Sequence, residues 1–144
     1  MKITGSYRFD TTAARVWAVL TDPKALARCL PGCKSLDPLG DDEYQAVLSV
    51  GVGPFRSRYS VKVSLRDLTP HQSYRLVVQG TETTGFLNGE ALITLVEQEG
   101  NTTVRVDSDS RAGETDARPG LRMMDRVAKT MMDRFFTCLQ QAAR

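Results

Sequence analysis

Three cysteines and a single histidine are the residues of this chain best suited to hold a soft metal ion. Cys29 and Cys33 form a C-x3-C pair around Leu-Pro-Gly, and Cys138 lies near the end of the chain. His71 stands in a Thr-Pro-His-Gln turn, far from all three cysteines in sequence. Structural zinc needs about four ligands, which usually come in closely spaced pairs. We therefore predict no metal site.

The cysteine count also bears on the redox state of the thiols. A disulfide framework is typical of an even number of cysteines behind a secretory signal. This chain has three cysteines, and its first residues, 1–5, lack the apolar core of a signal peptide. We expect a cytoplasmic protein with reduced thiols.

Acid–base chemistry has few candidates. Glu90, Asp107 and Asp109 lie in segments with strand-like alternation, and the two aspartates alternate with Val106, so they should point to water. We expect His71 to be an exposed turn residue. The sequence contains no nucleophile motif, phosphate-binding loop or histidine close to an acid. We therefore predict no catalytic residues.

Two segments carry the pattern from which the fold is inferred. Segment 55–66 alternates apolar or small residues with polar ones, four of them positively charged, which predicts a strand with one dry face. Such a sheet needs a cover, and the amphipathic, methionine-rich segment 121–142 is the obvious one. Its apolar residues fall within an arc of roughly 140°, and as a helix it spans ~33 Å. A cover rich in methionine is adaptable, which suggests a hollow lined by apolar groups.

The other elements follow from periodicity, caps and turns. Alternation over 2–9 predicts a strand, Asp10 or Thr11 should cap a helix through Leu20, and Asp22 with Pro23 should begin a short second helix. Short connections then predict an antiparallel meander. Its six strands are expected at Cys33–Leu39, Glu43–Val50, Phe55–Leu68, Ser73–Gln79, Phe86–Glu97 and Thr102–Ser110. This order predicts an α+β helix-grip fold, with a curved antiparallel seven-stranded sheet wrapped around the long C-terminal helix and a hydrophobic cavity between them.

Bulk composition limits the classes of partner. The 144 residues are 41% hydrophobic and 25% charged with a net charge of +2, which is typical of one soluble domain over residues 1–144. Basic residues form no continuous stripe, so we expect no nucleic-acid partner. No stretch approaches the length of a membrane span, so we expect at most peripheral membrane contact.

The cavity hypothesis rests on residues that should converge from the dry sheet face and the helices. Ser57, Tyr59 and Tyr74 would supply polar groups to orient a ligand, while the turns at 30–32 and 51–54 would form rims. The alternative for each residue is plain core packing. The predicted ligand-binding residues are Trp17, Leu30, Leu48, Val50, Ser57, Tyr59, Val61, Tyr74, Leu76, Phe86, Ile93, Met124, Ala128, Met131 and Phe135.

Several motifs in order along the chain carry a resemblance to a known family. They are Ile-Thr-Gly-Ser-Tyr-Arg-Phe-Asp at 3–10, residues 15–23, Leu-Pro-Gly-Cys at 30–33, residues 40–44, Val-Gly-Val-Gly-Pro at 50–54, Gly85-Phe86 with Gly89-Glu90-Ala91, residues 125–129, and Phe135-Phe136. With these motifs the chain resembles the CoxG family, named for the G subunit of carbon monoxide dehydrogenase, within the START/polyketide-cyclase (SRPBCC) superfamily.

The resemblance implies a helix-grip fold with a hydrophobic tunnel. It also implies an accessory role beside molybdenum-containing carbon monoxide dehydrogenases and related hydroxylases, in membrane association or in electron delivery through a bound quinone-like lipid. It provides no catalytic residue and no cofactor other than such a quinone or lipid ligand.

Three functional hypotheses follow. The first is a non-catalytic carrier or accessory protein that binds a lipophilic small molecule in the cavity. The second is a cyclase- or dehydratase-like enzyme that acts on a hydrophobic aromatic substrate, which would require an acid or base on the dry face. The third is an interaction subunit whose core is filled by its own side chains.

Overall fold

The structure is a computed structural model that describes residues 2–52, 55–80, 87–112 and 121–144, with side chains described in these ranges outside 50–52, 55–59, 87, 110–112 and 121–128. The described residues form ten elements, which in chain order are β1 (Lys2–Phe9), α1 (Ala13–Leu20), α2 (Pro23–Cys29), β2 (Cys33–Gly40), β3 (Glu43–Val52), β4 (Phe55–Thr69), β5 (Ser73–Gly80), β6 (Leu87–Gln98), β7 (Asn101–Ala112) and α3 (Leu121–Ala142).

One antiparallel sheet contains all seven strands, in the order β1-β7-β6-β5-β4-β3-β2. Strands β2 to β7 form the predicted meander, and α1 and α2 carry the chain from β1 to the opposite edge of the sheet. This arrangement with a long C-terminal helix is the predicted α+β helix-grip fold. The element boundaries agree with the prediction within about two residues, apart from Phe86, which lies outside the described residues.

The caps of the two short helices explain where they begin. Asp22 accepts a hydrogen bond of 3.0 Å from the backbone N–H of Lys24, and Pro23 takes the first helical position, as predicted. The cap of α1 is Thr12, whose hydroxyl accepts from the N–H of Arg15 at 3.3 Å. The prediction of Asp10 or Thr11 was wrong here because Thr12 is the residue whose side chain reaches back to the first turn.

The described half of α3 buries one face against the sheet and the short helices. Phe135, Phe136 and Leu139 are buried, whereas Asp133 and Arg134 are exposed. Phe136 lies outside the apolar arc read from the sequence. It is buried because its ring stacks on Tyr7 of β1, with the ring centroids 4.4 Å apart.

Candidate functional site

The inner face of the sheet is a continuous row of paired, inward-facing residues. Tyr74 of β5 pairs with Ile93 of β6, and Ile93 pairs with Val106 of β7. All three are 2% exposed or less. The same inner face continues into β3 and β4, where Ala46 pairs with Val61 and both are fully buried. The strict alternation of side chains therefore gives a dry face that crosses the sheet.

Two groups of buried side chains occupy this face. The first cluster joins α1, α2, the C-terminal half of α3 and the strands β1, β4, β5, β6 and β7, and it includes Leu20, Tyr74 and Phe135. The second cluster lies on β3 and β4 alone. Leu76 of β5 packs against both. The members of the second cluster are Tyr44, Ala46, Leu48, Val61 and Val63.

The predicted cavity residues divide between these clusters. Trp17, Leu30, Tyr74, Leu76, Ile93 and Phe135 lie in or against the first cluster, and Leu48 and Val61 belong to the second. Met131 is half-buried and belongs to neither, whereas its neighbour Met132 packs against the first cluster. Val50, Ser57 and Tyr59 are placed by their backbones on β3 and β4, and Met124 and Ala128 on α3, but their side chains lie outside the described ones, as does all of Phe86.

Backbone register places two of these residues relative to their neighbours. Tyr59 lies opposite Leu48, and Ser57 lies opposite Val50. The β3–β4 hairpin thus continues the second cluster toward the end of the sheet where residues 51–54 were predicted to form a rim; residues 53 and 54 lie outside the described residues.

An aromatic group forms the floor of the site between α1 and the β4–β5 turn. The rings of Trp17 and Tyr74 meet edge to face with their centroids 5.5 Å apart, and His71 meets Trp17 in the same way at 6.3 Å. Tyr74 is completely buried, and the loss of water around its hydroxyl raises the pKa of Tyr74 well above its ordinary value. Tyr74 is therefore a neutral hydroxyl in apolar surroundings and not a general base at neutral pH. His71 is an exposed turn residue, as predicted.

One predicted rim, the turn at 30–32, is bonded to β3. Gly32 accepts a hydrogen bond of 2.8 Å at its carbonyl oxygen from the N–H of Ser49. Gly32 has a φ of +71°, and a Cβ built on it would overlap the carbonyl oxygen of Ser49. Ser49 lies two residues before Gly51, so the Leu-Pro-Gly turn is fixed against the start of the Val-Gly-Val-Gly-Pro motif. Position 32 therefore requires glycine, both for the positive φ and for the close approach of the Ser49 carbonyl oxygen.

Side chains of α3 fix the helix to the edge strand β1. The hydroxyl of Tyr7 donates to Asp133 at 2.7 Å, and Lys129 pairs with Asp133 at 3.3 Å while donating to the carbonyl oxygen of Thr4 at 3.1 Å. The hydrogen bond from Tyr7, with help from Lys129, lowers the pKa of Asp133. Gln140 donates to the carbonyl oxygen of Arg8 at 2.7 Å. These contacts cover polar groups on an otherwise open sheet edge.

A disulfide joins the other side of α3 to α2. Cys29 is bonded to Cys138, with their Cα atoms 5.4 Å apart. The prediction of three reduced thiols is wrong for this pair, because α2 and α3 pack side by side at a separation that suits a disulfide. The two cysteines are 109 residues apart in sequence, so no local spacing signalled the bond. Cys33 is a free thiol. The cytoplasmic location, which rested partly on reduced thiols, stays a prediction.

Charged groups stay outside the site. Glu90 and Asp109 are exposed, and Asp107, whose side chain is 44% exposed, pairs with Arg105 on the outer face, as expected for strand residues pointing to water. The buried polar residues of the described part are Ser64 and Thr102. The hydroxyl of Thr102 donates to the carbonyl oxygen of Thr11 and so ties β7 to the start of α1. Within the described ranges, no group of three or more His, Cys, Asp and Glu side chains converges as a metal site would require.

Two surface pockets are formed by described residues. One, of about 370 Å³, lies along the outer side of α3, and the other, of about 240 Å³, lies between β1 and the end of α3. Neither contains a residue predicted for the cavity. The first is lined by Thr130, Asp133, Arg134, Thr137, Cys138 and Gln141, and the second by Arg8, Asp10, Thr11, Gln140, Ala143 and Arg144. In the described part of the chain, no helix combines the length and apolarity needed to cross a bilayer.

Several residues of the core were not among the residues predicted to line the cavity. Phe9 and Leu20 are 1% exposed or less, and Phe136 packs between Tyr7 and Phe135. Phe9 stands in the alternating pattern of β1 and Leu20 in the helical pattern of α1, so periodicity contained the signal for these two. Phe136 was recognisable only through its partner Tyr7, which is distant in sequence.

Comparison with known proteins supports this architecture. A structure described as a conserved protein from Geobacillus kaustophilus is 32% identical, with a TM-score of 0.90 over 99% of this chain and 95% of that one. A START-superfamily protein from Mycobacterium smegmatis has 12% identity and a TM-score of 0.75, over 99% of this chain and 96% of that one. The Zhui aromatase/cyclase from Streptomyces sp. R1128 has 14% identity and a TM-score of 0.71, over 99% and 93%.

The last two similarities show the fold alone, which is the START-superfamily helix-grip fold. No curated protein matches the sequence. The family model for CoxG, described as the G subunit of carbon monoxide dehydrogenase, matches residues 5–144. On this match, which spans nearly all of the sequence, the chain belongs to the CoxG family.

Proposed function

We propose that the protein is a non-catalytic carrier or accessory protein that binds a lipophilic small molecule, quinone-like or lipid-like, between the sheet and α3. The observation that carries this proposal is the inner face itself, which runs from β3 to β7 without a charged residue among the buried side chains of the described part. A pocket of this composition suits an uncharged apolar ligand.

The arrangement of the two clusters supports the position of the ligand. The first cluster is closed by α1, α2 and the C-terminal half of α3, whereas the described side chains around the second all come from strands. We place the ligand over the second cluster, with Leu48, Val61 and Leu76 below it and the N-terminal half of α3 above it. We include Tyr59 in the proposed site because its backbone lies opposite Leu48 in the β3–β4 pair. The turn at 30–32 forms the near rim.

An enzymatic role has weaker support. A cyclase or dehydratase requires an acid or base on the inner face. The ionisable groups that the described part offers there are the hydroxyls of Tyr44 and Tyr74 and the thiol of Cys33. Burial raises the pKa of all three, so each is protonated at neutral pH. The aromatase/cyclase supports an enzymatic role only through its similar fold, and a shared fold does not imply a shared activity.

The partner proposed for the carrier is a molybdenum hydroxylase of the carbon monoxide dehydrogenase type. Its support is the family, whose members are described as a component of that enzyme. A carrier of this kind would exchange a lipophilic molecule with the complex or with a membrane surface that it contacts peripherally.

Binding of the neutral fluorophore N-phenyl-1-naphthylamine tests the proposed site. At about 0.3–0.4 kcal/mol per heavy atom, an apolar ligand of roughly 20 heavy atoms should bind with micromolar affinity. Met131→Glu and Tyr59→Lys should each weaken binding at least tenfold while the circular-dichroism spectrum is kept. Thr130→Glu is the matched control, because Thr130 is exposed next to Met131. Equal affinity in all four proteins would overturn the site.

A further inference from the structure

We propose that Cys138 is a thiol-exchange site, at which an external dithiol opens the Cys29–Cys138 disulfide and releases α2 from α3. The two sulfur atoms differ in access. Cys29 is 4% exposed within the first cluster, whereas Cys138 is half-buried and lines the 370 Å³ pocket on the outer side of α3. An incoming thiolate can therefore approach the Cys138 sulfur from the solvent, with Cys29 as the leaving group.

The reaction balances in two steps. A thiolate of the dithiol attacks the Cys138 sulfur, the S–S bond breaks, and Cys29 leaves as a thiolate that takes up a proton. The second thiol of the reductant then attacks the mixed disulfide and leaves Cys138 as a thiol. The reductant becomes a disulfide and the protein gains two thiols. The same pocket is lined by Arg134 and Asp133, so it carries charges of both signs and does not by itself select the anionic form of the incoming thiol.

The third cysteine does not compete in this exchange. Cys33 donates its thiol to the carbonyl oxygen of Ser35 at 3.3 Å and packs against the second cluster. Burial raises the pKa of the Cys33 thiol, so little of it is thiolate at neutral pH. Exchange therefore opens the Cys29–Cys138 bond without moving it to Cys33.

Opening the bond affects α2 first. This helix has seven residues, too few to be stable without tertiary contacts. It is held to α3 by the disulfide and by packing of Ala25 and Leu26 in the first cluster. Cys29 leads directly into the turn that fixes Gly32 to Ser49, so loosening of α2 reaches the near rim of the site. This last step rests on the proposed function, whereas the exchange at Cys138 and the release of α2 do not.

Two measurements on the full chain test the exchange. The protein is treated with glutathione at neutral pH without denaturant, and the mixed disulfide is located by peptide mass; we expect it on Cys138. Reduction with dithiothreitol followed by alkylation should label three cysteines, against one before reduction. A mixed disulfide on Cys29, or a bond that resists dithiothreitol until the protein unfolds, would overturn the proposal.

Hydrogen exchange tests the release of α2. The amides of Leu26 and Leu30, which donate to Asp22 and Leu26 within and after α2, should exchange at least tenfold faster after reduction or in the double variant Cys29→Ser/Cys138→Ser. The matched control Cys33→Ser should behave as the oxidised wild type. Unchanged exchange after reduction would overturn the release of α2, even where the thiols had reacted.

The link to the site is tested separately with N-phenyl-1-naphthylamine. Its dissociation from the reduced protein should be at least threefold faster than from the oxidised one. Equal rates in the two forms would refute the link to the rim and leave the carrier role standing. Absence of probe binding in both forms would count against the carrier role, while the mass and hydrogen-exchange results would still decide the exchange itself.

Discussion

The carbonyl oxygen of Gly32 accepts a hydrogen bond from the N–H of Ser49 at 2.8 Å, which joins the turn after α2 to strand β3. The contact places the Leu-Pro-Gly-Cys motif beside Ser49, the residue that directly precedes the Val-Gly-Val-Gly-Pro motif. Because Gly32 combines a positive φ with a backbone approach that leaves no room for a Cβ, it is a position where a methyl group should be costly.

Gly32→Ala should lower the free energy of unfolding by about 2–4 kcal/mol, from left-handed backbone strain together with overlap on Ser49. Urea denaturation measures this. Two other glycines separate the causes, because Gly100 has a φ of +81° with open space around it and Gly40 has open space at an ordinary φ. We expect Gly100→Ala to cost about 1 kcal/mol and Gly40→Ala less than about 0.5 kcal/mol. A Gly32→Ala cost no larger than that of Gly100→Ala would contradict the close contact.

Gly5→Ala should destabilise the protein through Tyr7. A Cβ on Gly5 would lie 2.7 Å from the Tyr7 hydroxyl oxygen, and the ring cannot retreat freely because it stacks on Phe136 and donates to Asp133. We expect a cost of about 1–2 kcal/mol. In a Tyr7→Ala background the same change should cost much less, and a double-mutant cycle measures the difference. An equal cost of Gly5→Ala in both backgrounds would show that contact with the Tyr7 ring is not the cause.

Stability should fall as the pH rises above 10, and Tyr74 contributes to this loss. Burial raises the pKa of Tyr74 above its ordinary 10.0, so the folded protein keeps a proton that the unfolded chain releases. The contribution is complete below pH 10 and is lost as the pH climbs toward the raised value. Each such proton is worth about 1.4 kcal/mol per pH unit.

Tyr74→Phe should therefore flatten the alkaline slope of the unfolding free energy between pH 10 and 11. The slope will not vanish, because burial and nearby carboxylates also raise the pKa of Tyr7 and of Tyr44. A slope identical to that of the wild type would indicate that Tyr74 ionises in the folded state.

Removal of the disulfide should lower thermal stability. Cys29 and Cys138 close a loop of 109 residues, and a cross-link of this length stabilises a domain by roughly 4–5 kcal/mol in the chain-entropy account. For a chain of 144 residues, the double variant Cys29→Ser/Cys138→Ser should melt about 13–17 °C lower in differential scanning calorimetry. Cys33→Ser, which leaves the bond in place, should stay within about 2 °C of the wild type. Equal melting of all three proteins would mean that the bond carries no stability.

The sequence was sufficient for the fold because its signals are local and repeated. Alternation and turn residues together located all seven strands, and Asp22 with Pro23 located the start of α2. Contacts between segments that are distant along the chain could not be predicted from these local patterns. The Cys29–Cys138 disulfide and the stacking of Phe136 on Tyr7 were not predicted, because the residues of each pair meet only when α3 has packed.

The site was predictable to a smaller extent for the same reason. Periodicity identified which residues face inward, such as Leu48, Val61 and Tyr74, since a face is a local property of a strand. Whether inward-facing residues touch one another or a ligand depends on how far α3 stands from the sheet. That distance is set by tertiary contacts at Asp133, Phe136 and Cys138, which the pattern does not encode.

Native mass spectrometry of the freshly purified, oxidised protein tests the central claim most directly. We predict a population heavier than the polypeptide by the mass of one small hydrophobic molecule, lost on extraction with organic solvent and restored by incubation with a short-chain quinone. A single peak at the polypeptide mass, before and after that incubation, would contradict a carrier and would mean that the protein fills its own core.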